Sequence, residues 1–146
     1  MIVRWLVLST LLLPSIVMAA DLAGVENPER ARVNYMLNCQ GCHGPSGQGT
    51  EDGTVPTMTN FVGHFFKVAG GREFLVRVPG SANAALTDNR LAEVLNWMVQ
   101  KISREELPDD FTPYTAREVG EYRQFPLQDV IHTREKLIEA IDSLQN

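Results

Sequence analysis

The stretch Cys39-Gln40-Gly41-Cys42-His43 decides how this chain is read. Two thiols three positions apart, followed at once by an imidazole, are the arrangement that attaches c-type haem. The order has a chemical reason. The thiols add to the two vinyl groups on one edge of the porphyrin, and the turn between them delivers the His43 imidazole to the iron as proximal ligand. Cys39 and Cys42 are therefore the expected anchors of one covalent haem c. A structural zinc site would need further ligands, but both cysteines of the chain lie in the motif and the other histidines are His64 and His132. A thioredoxin-like Cys-x-x-Cys belongs between a strand and a helix of an α/β pattern, which this sequence does not carry.

Upstream, Arg4 precedes the apolar run from Trp5 to Val17 and the small residues Ala19 and Ala20. That is the pattern of a secretory signal peptide, with cleavage expected after Ala19 or Ala20; an uncleaved anchor is the competing reading. The run is short for a span, which takes about 20 apolar residues. No stable membrane span is expected once residues 1–20 are removed. Covalent haem attachment outside the cytoplasm fits an exported chain whose cysteines are all used by the motif. The formal net charge of −5 becomes −6 when Arg4 leaves, so nucleic acid is excluded as a partner. An acidic carrier is steered toward basic patches on redox proteins.

Outward from the motif, Asn27 and Pro28 read as the cap and first residue of a helix whose apolar stripe is Val33, Met36 and Leu37, with Met36 in the core. Gly44-Pro45-Ser46-Gly47-Gln48-Gly49 is turn chemistry that lets the chain hug the porphyrin edge. A loop follows to about Asn60, and the aromatic run from Phe61 to Phe66 is expected to wall the haem pocket. Arg72 to Val78, between Gly70-Gly71 and Pro79-Gly80, fits a short helix better than a strand. Thr87 caps a longer helix, stapled by Leu86 and Leu91, with Leu91, Val94, Leu95, Met98 and Ile102 on one face. That stripe is expected to pack across the first helix. Thr115-Ala116-Arg117-Glu118 is a capping box opening another short helix. Val130, Leu137, Ile141 and Leu144 mark a terminal helix with Arg134, Glu135, Lys136 and Glu139 on its wet face.

From Asn27 to Ile102 the chain resembles small class I cytochromes c, through the helix before the motif, Cys-x-x-Cys-His, the Gly-Pro-x-Gly-x-Gly turn and a late helix carrying Leu95-Asn96-Trp97-Met98. The resemblance implies a mostly α, cytochrome c-like domain wrapped around one covalent haem. On that basis residues 1–20 are the signal peptide, 21–107 the cytochrome c domain and 108–146 a C-terminal helical extension. It also implies single-electron transfer in the periplasm, with a dehydrogenase or an oxidase as partner, and Trp97 as the aromatic at the helix crossing.

In the resembled family the second axial ligand is a methionine in a loop before the late helix, and the loop Val78 to Ala85 contains none. Met58 is the first candidate, since the 15 residues that separate it from His43 reach about 50 Å when extended. His64 and Met98 are alternatives, Met98 being at helical spacing that suits core filler. An open position is the remaining one. His132 reads as a solvated side chain. No nucleophile–base pair or paired carboxylates mark a catalyst, so the chain reads as an electron carrier. The rival reading is a haem-based small-ligand sensor or a peroxidase-like protein with an open sixth position.

Overall fold

The computed structural model describes residues 21–145, and the signal-peptide expectation for residues 1–20 lies outside them. The described residues are mostly helical and contain no strand. Seven α-helices follow one another: α1 (Pro28–Asn38), α2 (Gln40–His43), α3 (Gly71–Arg77), α4 (Pro79–Ala82), α5 (Asp88–Ile102), α6 (Ala116–Tyr122) and α7 (Val130–Gln145), with a 3-10 helix (Val62–Lys67) between α2 and α3. None of them is long and apolar enough to cross a membrane.

Helix α1 starts where the sequence places it: the Asn27 side chain accepts from the Arg30 N–H at 2.9 Å, and Pro28 occupies the first turn. Its buried face is different from the expected one. Val33, Met36 and Leu37 are 40%, 44% and 77% exposed, whereas Ala31 and Tyr35 are buried. Ala31 has no bulk to hold the α5 backbone away, and the Tyr35 ring fills the space one turn on. Met36 is therefore not core; its sulfur lies 3.1 Å from Arg32 Nη1 at the surface.

Helix α5 is the axis of the fold. Thr87 caps it, accepting from the Arg90 N–H at 3.4 Å, and Leu91, Val94, Leu95 and Met98 are buried as the periodicity predicts. The opposite face is buried too, although it is polar. Asn96 donates to the Gly24 and Tyr114 carbonyls and accepts from the Tyr114 N–H at 2.7 Å, while Gln100 exchanges two hydrogen bonds with the Ala23 backbone. These side chains tie the segment before α1 and the segment after Pro108 to one helix, which satisfies buried amides that would otherwise be costly. Helix α1 packs on α5 through Glu93, which accepts from Arg30 Nη2 at 2.7 Å and from the Asn27 N–H at 2.9 Å.

The remaining helices close the other side. The α3 helix forms as expected and ends just before Pro79, with Val78 at ψ 138°; Pro79 then also opens the short α4, which suits a residue with no N–H to lose in a first turn. Thr115 caps α6, accepting from the Glu118 N–H at 3.2 Å. The second half of the expected capping box is absent: the Glu118 carboxylate is bound by Arg72 at 2.9 Å, a charged donor that outbids the backbone N–H. In α7, Leu137 and Ile141 are buried and Leu144 is 63% exposed.

Candidate haem site

The attachment motif is itself a helical turn. The Cys42 and His43 N–H groups both donate to the Cys39 carbonyl, at 3.2 and 3.0 Å, so Cys39, Cys42 and His43 fall at positions i, i+3 and i+4 of one face. The turn is held from both ends. Its first residue is the C-cap of α1, and the carbonyl of Gly44, just past it, accepts from the Tyr35 hydroxyl at 2.8 Å. Gly49 then donates back to the His43 carbonyl at 3.0 Å. Gly49 has φ of +72°, and a Cβ there would meet the Val55 carbonyl oxygen, so only glycine fits this return.

Cys39, Cys42 and His43 line an apolar cleft of about 270 Å³. Phe74 and Leu75 of α3, Leu95 and Met98 of α5, and Val62 and Phe65 of the 3-10 helix are among its apolar lining. The aromatic run thus contributes in part, because Phe66 turns away and packs against Phe111 and Tyr114. Met58 and Met98 both line the cleft; His64 does not, its ring standing edge-on to Phe61 at 5.6 Å on the half-exposed side of the 3-10 helix. His132 is exposed, 4.0 Å from Glu135.

Arg134 departs from the place its charge predicts. The sequence pattern puts it on the wet face of α7, yet it lines the cleft with Val130, and its guanidinium lies 6.0 Å from the Phe61 ring centroid. Tyr35 falls outside the predicted stripe of α1, although it is buried and positions the turn that carries His43.

The chemistry of the donor set fits haem. Both cysteines are unpaired. Burial pushes the Cys39 thiol up to about 11, so it is a neutral thiol at neutral pH and not the activated thiolate of a redox Cys-x-x-Cys pair. Burial also lowers the His43 pKa, which favours the neutral imidazole that ligates metals. The His43 Nδ1 is buried without a hydrogen-bond partner, so the protein leaves that side of the ring uncommitted. An apolar slot with two thiols and a neutral imidazole on one wall suits a planar, mostly apolar macrocycle with one metal.

Comparison with known proteins agrees with this chemistry. The chain is 32% identical over 136 residues to a cytochrome c-552 of Thermus thermophilus, covering 80% of this chain and 91% of the relative. It is also 32% identical over 119 residues to a second cytochrome c-552 of the same species, covering 68% of this chain and 90% of that relative. No protein-family model matches the chain, and no solved structure is significantly similar to it.

Proposed function

Because the chain belongs to the cytochrome c-552 family of c-type cytochromes, we propose that it is an exported carrier that moves single electrons through the periplasm, from a dehydrogenase to an oxidase or another acceptor. The observation that carries this reading is the placement of Cys39, Cys42 and His43 together on one wall of an apolar cleft. Bound there, haem c supplies an iron that exchanges one electron between Fe(III) and Fe(II). The protein does the rest. Cys39 and Cys42 anchor one edge of the porphyrin, His43 is the proximal base, and Tyr35 holds the turn that orients it. Phe65, Phe74, Leu75 and Leu95 keep water away, which limits the reorganisation that accompanies a change of charge.

The acidic surface supports transient contact with basic patches on redox partners. Mass spectrometry of the chain, produced in a host that matures c-type cytochromes and recovered from its periplasm, tests the reading. The expected product lacks residues 1–19 or 1–20 and carries one haem that survives denaturation; an unmodified chain refutes it. Electron exchange with a basic partner is expected to slow as salt shortens the Debye length from about 10 Å at 0.1 M to about 3 Å at 1 M.

A further inference from the structure

We propose that the described residues leave the sixth position of the iron without a protein ligand, and that the face of the cleft opposite His43 admits a small neutral molecule of the carbon monoxide or nitric oxide class. The proposal rests on the haem reading above and sets aside Met58 as the distal ligand.

Around the cleft, α2 packs on α1 and α1 on α5; α3 and α4 pack on each other, and the 3-10 helix meets α3, α5 and α7. Outside the attachment motif, the lining side chains that carry a thioether or an imidazole are Met58, in the loop after the motif, and Met98, on α5. The Met58 N–H donates to the Gly47 carbonyl at 2.7 Å, four residues past His43. Its Cβ and Cε come within 3.4 and 3.5 Å of the position a Cβ on Gly47 would take. Met58 is thus folded under the loop that leaves His43, not carried round the porphyrin edge. Met98 is buried on α5; one turn further, Ile102 Cδ1 stands 2.5 Å from that same Gly47 position.

The α3–α4 wall offers Phe74, Leu75, Val78, Gly80 and Ser81, with no thioether, imidazole, amine or thiol among them. Nor does the loop before α5 reach into the cleft. Arg123 fastens it to α6, donating to the carbonyls of Ala82 at 3.1 Å, Ala84 at 2.6 Å and Leu86 at 2.7 Å.

The wall also selects the ligand. Phe74, Leu75 and Val78 make the surface apolar, so a neutral diatomic loses little on entering, while Arg134, the cation of the lining, stands off with its guanidinium 6.0 Å from the Phe61 ring centroid. Distal polarity and access are the features that separate ligand binding from electron transfer alone.

The test uses the full mature chain with its haem attached, and optical and electron-spin spectra as readouts. Haem content is measured first; a chain without covalent haem defeats the haem reading itself. With haem present, the expected result is a high-spin ferric spectrum and one-to-one carbon monoxide binding by the ferrous protein, seen as a shift of the Soret band. Met58→Leu and Met98→Leu conserve volume and are expected to leave both unchanged. A low-spin ferric spectrum in the unmutated protein that resists carbon monoxide after reduction overturns the proposal. The substitution that then turns it high-spin, at Met58, Met98 or His64, identifies the ligand.

Discussion

Tyr35 of α1 and Trp97 of α5 meet where the two helices cross, their ring centroids 5.6 Å apart and their planes tilted by 47°. Tyr35 is buried and Trp97 half-buried, so the pair seals one end of the core while the Tyr35 hydroxyl reaches the turn that bears His43. Trp97→Ala is expected to cost about 2–3 kcal/mol, less than the ~3–5 of a fully buried ring. Denaturant unfolding of the wild type and the variant measures it, and a change under about 1 kcal/mol would show that the crossing does not depend on this ring.

Tyr35→Phe isolates the other half of that contact. It keeps the ring against Trp97 and removes the 2.8 Å hydrogen bond to the Gly44 carbonyl. Gly44 is half-exposed, so water can replace the donor and the loss is expected to be about 1 kcal/mol. The informative readout is spectroscopic: a broadened haem absorption band in the variant would show that Tyr35 orients the His43 turn, and an unchanged band would show that it does not.

Glu93 gives the fold a defined response to acid. Burial by itself would raise its pKa, but hydrogen bonds from Arg30 and the Asn27 N–H and the charges of Arg30 and Arg90 outweigh it, and the net shift is downward. A lowered folded-state pKa means that the stabilisation is complete above the ordinary glutamate range near 4.5 and is lost as pH falls through the folded value. Unfolding free energy is therefore expected to drop below about pH 4.5, and Glu93→Gln is expected to flatten that drop while lowering stability at neutral pH by about 2–4 kcal/mol. Equal acid sensitivity in both proteins would place the titrating group elsewhere.

Gly71 opens α3 directly beneath the 3-10 helix. A Cβ at this position would run into the Phe65 carbonyl oxygen, and the obstacle is backbone that cannot rotate aside. Gly71→Ala is expected to destabilise by about 3 kcal/mol or more, as overpacking does in a fixed core. Gly41→Ala, where a Cβ would meet nothing and the residue does not line the cleft, is the control and is expected to be close to neutral.

The parts of this structure that are legible in the sequence are those set by local chemistry. The motif, the Asn27, Thr87 and Thr115 caps and the α5 stripe each depend on residues within one or two turns. What is illegible depends on the partner surface. A helix that must approach another closely buries Ala31 and Tyr35 and leaves Leu37 in water, and no rule of hydrophobic stripes ranks alanine above leucine. Asn96 and Gln100 lie off the apolar stripe, and their burial is not legible because the backbone they bind comes from segments far away in sequence. Arg134 carries a usable signal: Val130, Arg134, Leu137 and Ile141 share the i, i+4, i+7 and i+11 spacing of one face, so a cation stands in the middle of an apolar stripe. Its charge hides its position.

Val130 and Arg134 close a cleft whose first wall is laid down some ninety residues earlier, at Cys39 to His43. Residues far apart along the chain thus share one cavity. Val130 and Arg134 form a flank that neither the attachment motif nor α5 supplies, so substitutions there change how widely the cleft opens while leaving the Cys39 to His43 turn untouched.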